Sequence, residues 1–157
     1  MKQHVYETQV DWTGNDGPGT SHYTSYRRDH VIFAPQHPPI PASSDPSFRG
    51  DASRYNPEQL LVAALSSCHM LWYLHLCAVN GVNVVNYRSA ATGWMDEHAD
   101  GSGEFVRVLL KPNVTVTRAD DISKAQALHA EAHRFCFIAR SVKFPVEISA
   151  EITATTE

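Results

Sequence analysis

The sequence predicts an α+β fold, in which two helices pack on one face of a mainly antiparallel sheet. Segments with strand and helix patterns are segregated along the chain: three strands, a helix, two or three strands, a second helix and a closing strand. This order is typical of α+β proteins. The composition, 43% hydrophobic and 19% charged over 157 residues, suits one globular domain spanning 1–157 with its own core.

Charge and hydropathy argue against two classes of partner. The formal net charge is −4 with the histidines neutral, and no basic stripe is present, so we expect no nucleic acid to bind. The longest apolar run, residues 60–79, is interrupted by Ser66, Ser67, His69 and His75, and the first residues lack the apolar stretch of a signal peptide. We therefore expect a cytoplasmic protein without a membrane partner.

The N-terminal third is predicted as three strands followed by a long loop. Val5 to Trp12 alternates polar and apolar side chains, and the glycine-rich stretch after it predicts a turn. Thr20 to Arg27 and Val31 to Ala34 are predicted as the return strand and a short third strand. Residues 35–55, rich in proline and serine, are predicted to be irregular, and loops of that length are often functional.

The first helix has the clearest signals. Asn56 is a natural N-cap, Pro57 suits the first turn, and the helix is predicted to end at about Val79, before Gly81. Apolar or small side chains cover nearly every face between Leu60 and Leu76. Because one layer of so short a chain rarely covers a helix on all sides, we expect a homodimer in which this helix contacts the partner.

The second half is predicted as further strands, a helix and a closing strand. The strands are expected at Val82–Arg88, Phe105–Leu110 and Val114–Thr117. Pro112 predicts a break between the last two of these strands. Asp120 or Asp121 is expected to cap a second helix from about Ile122 to Phe135, and Pro145 to Thr153 is predicted as the closing strand.

Three cysteines carry the candidate chemistry. Structural disulfides are rare in a reducing compartment, so each cysteine is a buried apolar residue, a metal ligand or a redox group. Cys68 lies inside the first helix beside Ser66, Ser67 and His69. Polar side chains are unfavourable to bury without partners, so four in a row indicate a site. Cys77 lies among leucines and alanine and is predicted to belong to the core.

Cys68 and Cys136 could act as a cooperating redox pair. Only a thiolate attacks a peroxide efficiently, and in mid-helix the dipole gives little help, so a cation is required. The arginines that precede the helix are Arg27, Arg28, Arg49 and Arg54. Asp51 could hold one of the guanidinium groups through a bidentate pair. Cys136 could condense with a sulfenic acid on Cys68 if the two Cα atoms approach to about 4.4–6.8 Å.

The segment 56–68, NPEQLLVAALSSC, resembles the first cysteine motif of the OsmC/Ohr family. The region of Cys136, with Ser141 and then Pro145 opening a last strand, is similar to the C-terminal cysteine region of that family. The order and spacing match along nearly the whole chain, including the loop with Phe48-Arg49-Gly50-Asp51. The resemblance implies an OsmC-like α+β fold, completed as an intertwined homodimer with two active sites at the interface.

The resemblance also implies an activity and the roles of residues. It implies that organic hydroperoxides are reduced, with Cys68 attacking, Cys136 resolving and a dithiol such as a lipoylated protein as reductant, without a cofactor. An arginine held by an acidic residue would activate Cys68. Asp51 stands where the family has glutamate, and Arg28, in the N-terminal hairpin, is the first choice for the arginine, with the other three open. Phe137 stands where one branch of the family usually has proline.

Two alternatives remain. His129, His133 and Cys136 have helical spacing that zinc could use, with His69 or His75 as a further ligand. No Cys-x-x-Cys or His-Glu-x-x-His run is present, so we expect no metal, and the two second-helix histidines are predicted to lie at the surface or an interface. The alternative function is a non-catalytic dimeric stress protein of the same fold that binds a hydrophobic small molecule.

Overall fold

The computed structural model describes residues 1–155, which form two compact units. The first comprises Met1–Leu60, and the second begins at Leu61. The elements are strands and helices in the segregated order that the sequence predicts, so the α+β class is confirmed.

The first unit contains a three-stranded antiparallel sheet in the order β1 (Gln9–Trp12), β2 (His30–Phe33) and β3 (Ile40–Ala42). The return strand predicted at residues 20–27 is therefore wrong, because those residues form turns. Their hydroxyl groups bond locally, as when Ser25 Oγ donates to His22 O at 2.7 Å, and such bonds compete with a strand ladder. Strand β3 lies inside residues 35–55, which were predicted to be irregular.

Helix α1 (Pro57–Val79) has the predicted bounds. Its first turn carries a reciprocal capping box: the Gln59 N–H donates to Asn56 Oδ1 at 2.8 Å, and the Asn56 N–H donates to Gln59 Oε1 at 3.1 Å. Beyond its end, Gly81 has a φ of 74°, a conformation that glycine adopts without strain. The predicted cap and stop are both confirmed.

By length and composition, α1 could also cross a membrane, which the sequence analysis did not foresee. Its mean hydropathy reaches 1.5 over an 18-residue window, and 28% of that window is buried within the chain. A helix in the core of a folded domain passes the same test. Here five residues of α1 are buried: Leu65, His69, Tyr73, Leu76 and Cys77.

The second unit contains a four-stranded sheet. The long hairpin β4 (Val84–Glu97) and β5 (Gly103–Val116) is antiparallel, while β6 (Val146–Ile148) and β7 (Glu151–Ala154) both pair parallel with β5. The break predicted at Pro112 is absent, because β5 continues through it. Pro112 lies level with the gap between β6 and β7, a place that suits a residue with no N–H to donate.

Helix α2 (Ile122–Phe135) follows β5, also with the predicted bounds. One face of β5 is buried through alternating residues and takes part in two core clusters; α1 contributes to both of them and α2 to one. These clusters include Leu65, Tyr73, Leu76 and Cys77 from α1, Ala125 and Ala132 from α2, and Val108, Leu110, Val114 and Val116 from β5. The core of this unit therefore fixes the position of both helices. Cys68 lies on α1, and Cys136 follows the last residue of α2.

Candidate active site

Cys68 lies in the middle of α1 and is half-buried. The next residue, His69, is on the buried face of the helix, and Ser67 is exposed. Successive residues of an α-helix differ in direction by about 100°, so the four adjacent polar residues do not share one environment. The sequence grouped them as one site, and the structure separates Cys68 from His69.

Cys136 lies directly after the last residue of α2, where the backbone turns extended with φ −62° and ψ 113°. Its N–H donates to Ala132 O at 3.0 Å, and its own carbonyl accepts a bond from the Arg140 N–H at 3.1 Å. Its side chain is buried, with 1% of the residue exposed. The end of α2 and the turn that follows it therefore hold Cys136 in a defined place.

The structure places the free thiols of Cys68 and Cys136 close enough together for Cys68 to influence the pKa of Cys136. Burial raises the pKa of Cys136, and the hydrogen bond and charge of Cys68 raise it further. The backbone N–H groups of Ala139 and Ile138 act in the opposite direction but do not compensate. Cys136 therefore remains a protonated thiol at neutral pH, whereas Cys68 is the more accessible member of the pair.

Three aromatic rings from the segments that carry Cys68 and Cys136 contact one another. Trp72, one turn beyond Cys68 on α1, stacks on Phe135 with ring centroids 5.0 Å apart and planes at 17°. Phe137 meets Trp72 edge to face at 5.5 Å and 73°. We call Trp72, Phe135 and Phe137 the aromatic cluster. No local pattern in the sequence brings these three rings together, because Trp72 is more than 60 residues away from the other two along the chain.

His69 and His129 form a second contact between α1 and α2. His69 Nε2 lies 2.9 Å from His129 Nδ1, and the ring of Tyr73 stacks on His129 at 3.9 Å. Only 2% and 3% of the two histidines are exposed, so His129, predicted to lie at the surface or an interface, is instead buried within the chain. Burial lowers the pKa of both histidines to about 4, so both are neutral at pH 7. His133 is exposed.

Cys77 is buried beside Tyr73, as predicted, and burial raises the pKa of its thiol. Among residues 1–155, no three or more His, Cys, Asp or Glu side chains are arranged to hold a metal ion.

The predicted arginines lie in the first unit, where each has local partners. Arg28 donates to the carbonyls of Tyr26 at 2.6 Å and Tyr23 at 2.7 Å, and its guanidinium lies 3.8 Å from the centre of the Tyr26 ring. Arg49 has a left-handed φ of 66°, and its guanidinium lies 5.6 Å from the ring of Tyr23.

A buried carboxylate that the sequence analysis missed organises the other two arginines. Asp29 is 6% exposed, and its Oδ2 lies 2.6 Å from Arg27 Nη1 and 3.7 Å from Arg54 Nε. Asp51 lies 3.8 Å from Arg54 and accepts two bonds from Ser53, which lower the pKa of its carboxyl group. The bidentate pair predicted for Asp51 is therefore absent, and its nearest arginine is Arg54. Asp29 follows Arg28 directly in the sequence, but no local pattern marks it as a buried residue.

The comparisons with known proteins agree with this fold. A model of the family described as OsmC-like protein matches residues 50–151. The chain is 28% identical to an OsmC-like protein of unknown function from Vibrio cholerae, whose structure superposes with a TM-score of 0.85 over 95% of this chain and 100% of that one.

Two more distant structures share the fold alone. An organic hydroperoxide resistance protein from Elizabethkingia anophelis is 16% identical, with a TM-score of 0.67 over 98% of this chain and 100% of that one. The organic hydroperoxide resistance protein OhrB of Bacillus subtilis is 17% identical, with a TM-score of 0.61 over 96% and 98%. No curated protein matches the sequence significantly.

Proposed function

The chain belongs to the OsmC-like protein family, and from that premise we propose that it is a thiol peroxidase that reduces organic hydroperoxides in defence against oxidative stress. The observation that carries the proposal is the contact between the half-buried thiol of Cys68 and the buried thiol of Cys136. Organic hydroperoxide resistance proteins among the structural neighbours agree with it.

The two thiols supply both halves of the reaction. The Cys68 thiolate attacks the terminal oxygen of ROOH, the O–O bond breaks, and the alkoxide takes a proton to leave as ROH. Cys68 is then a sulfenic acid, which the Cys136 thiol attacks, so that water leaves and a disulfide forms. An external dithiol returns both cysteines to thiols by two exchange steps and is itself oxidised to a disulfide.

The environments of the thiols favour this division of roles. The raised pKa of Cys136 keeps it protonated, so it does not compete with Cys68 for the peroxide. Its burial protects it from solvent until the sulfenic acid forms beside it. We propose that one of the first-unit arginines, with Arg28 as first choice, stabilises the Cys68 thiolate, and that Asp51 contributes through Arg54, its nearest arginine.

Thiol counting tests the proposal. Reduced protein is mixed with one equivalent of cumene hydroperoxide, and free thiols are measured before and after. We expect two thiols per chain to be lost, none to be lost in Cys68→Ser, and the loss of two to persist in the control Cys77→Ala. An unchanged thiol content in the wild-type protein would refute the peroxidase and favour the non-catalytic binding protein.

We also propose a cytoplasmic homodimer that is reduced by a dithiol such as a lipoylated protein. The apolar side chains that α1 leaves open support the dimer: Leu71 is 62% exposed and Val79 65% exposed. Sedimentation should give twice the mass of 17.5 kDa, and Leu71→Glu should shift it towards the monomer. A monomeric wild-type protein at micromolar concentration would contradict the dimer.

A further inference from the structure

The aromatic cluster contains one ring that is open to a ligand. The Phe135 ring has two neighbours: its centroid lies 5.0 Å from that of Trp72 and 4.1 Å from the Arg134 guanidinium. Phe137 has only Trp72 as a ring contact among the described residues, and it is 66% exposed. Its aromatic surface is therefore available to a bound molecule.

Phe137 is also held in place. It follows Cys136, whose carbonyl accepts a bond from the Arg140 N–H, and its own carbonyl accepts a bond from Ser141 Oγ at 2.7 Å. These bonds belong to the turn that leads out of α2, so Phe137 is part of an ordered segment. A ring fixed in this way can contact a ligand without a large loss of conformational entropy.

The rings of the cluster join the segment of α1 that carries Cys68 to the segment that carries Cys136. Phe135 and Phe137 flank Cys136 in the chain, and Trp72 follows Cys68 by four residues, a spacing that places two side chains on the same side of a helix. A hydroperoxide whose O–O bond reaches Cys68 would therefore carry its organic substituent close to these rings.

We propose that the aromatic cluster, through Phe137, selects hydroperoxides that carry an aromatic ring next to the O–O bond over saturated hydroperoxides of the same size. The inference rests on the proposed function and narrows its substrate class. Aromatic rings attract one another in stacked or edge-to-face geometry beyond the area that they bury, whereas a saturated ring gains only from that area.

The test compares two substrates of equal size. Cumene hydroperoxide and its analogue with a cyclohexyl ring in place of phenyl differ in aromaticity, and tert-butyl hydroperoxide lacks the ring. We expect kcat/KM for cumene hydroperoxide to exceed that for the saturated analogue by about 2- to 10-fold, the range of one aromatic contact. In Phe137→Leu, which keeps an apolar side chain, the ratio should fall to about 1, and kcat/KM for tert-butyl hydroperoxide should change less than that for cumene hydroperoxide.

A control and a binding measurement separate this inference from the proposed function. Trp94→Leu changes an exposed aromatic residue on β4 and should leave the ratio as in the wild-type protein. In Cys68→Ser, which cannot react, 2-phenyl-2-propanol should quench tryptophan fluorescence at lower concentration than its saturated analogue, and Phe137→Leu should remove the difference.

Equal kcat/KM for the two matched substrates in the wild-type protein would overturn the inference, and so would an unchanged ratio in Phe137→Leu. A third contradicting result is an equal loss of kcat/KM for all three hydroperoxides in Phe137→Leu, together with a shift in oligomeric state. The last result would assign Phe137 to contacts between two copies of the chain. If the wild-type protein oxidises no thiol with any hydroperoxide, the proposed function fails, and the alcohol-binding measurement still decides the aromatic preference.

Discussion

Two polar contacts join α1 to the region of α2, and they begin at neighbouring residues. Cys68 meets Cys136 just beyond the end of α2, and His69 meets His129 within it. The first pair is half open and can change its oxidation state, whereas the second is closed, stacked on Tyr73 and neutral. Neighbouring residues of one helix therefore take part in a partly accessible thiol pair and in a buried polar contact, so adjacency in sequence does not imply a shared environment.

Removing either of the two thiols should have the largest effect. Cys136→Ser should consume one equivalent of peroxide and stop at a sulfenic acid, seen by mass spectrometry as one added oxygen, because the resolving thiol is missing. Cys68→Ser should neither gain oxygen nor turn over peroxide. If the two variants behave in the opposite way, the assignment of attacking and resolving thiols is wrong.

Removing the activating arginine should have the next largest effect. Arg28→Ala should slow the first loss of thiol under stopped flow by about 10- to 100-fold at pH 7, because a nearby cation favours a thiolate. Arg118→Ala is the control, because Arg118 is exposed and forms its ion pair with Asp120 at 3.7 Å. An unchanged rate in Arg28→Ala, with a loss in Arg27→Ala, Arg49→Ala or Arg54→Ala, would move the role to that residue.

The histidine pair should affect stability and not the chemistry. His69→Ala creates a cavity and leaves His129 Nδ1 without its partner, so the free energy of unfolding should fall by about 2–4 kcal/mol. Ser67→Ala, exposed on the same helix, should change it by less than about 0.5 kcal/mol. Both are measured by urea unfolding. A loss of peroxide reactivity in folded His69→Ala would show that the two contacts are not independent.

The pH dependence of stability gives the smallest effect. Both histidines have a pKa of about 4 when folded, below the ordinary 6.5, so between these values the unfolded chain binds protons that the folded chain does not. The free energy of unfolding should therefore be highest above pH 6.5 and fall towards pH 4, by at most about 1.4 kcal/mol per pH unit for each histidine.

The variant His129→Gln should flatten this slope, because it removes one of the groups that must lose its proton on folding. His98→Gln, in the exposed turn between β4 and β5, should leave the slope as it is. Equal slopes in His129→Gln and the wild-type protein would show that other groups cause the acid sensitivity.

The two contacts also show what local sequence patterns can predict. The bounds of α1 were predictable because Asn56, Pro57 and Gly81 act on their immediate neighbours. The bounds of α2 were also predicted, although Asp121 at its start makes no side-chain capping bond. The turns at residues 20–27 were not predictable, since hydroxyl side chains there compete with a strand through bonds that depend on the final loop geometry.

The candidate site was predictable in part. The resemblance drew attention to Cys68 and Cys136, which the structure brings together. The pair of His69 and His129 joins residues 60 positions apart and has no local signal, and the same holds for the aromatic cluster and for Asp29. Such contacts are fixed by the packing of the core and not by the spacing of residues along the chain.

Disulfide mapping tests the central claim most directly. The reduced protein is treated with one equivalent of cumene hydroperoxide, alkylated, digested and analysed by mass spectrometry without reduction. The account predicts one linked pair of peptides, containing Cys68 and Cys136, with Cys77 alkylated. A disulfide that includes Cys77, or alkylation of all three cysteines, would contradict it.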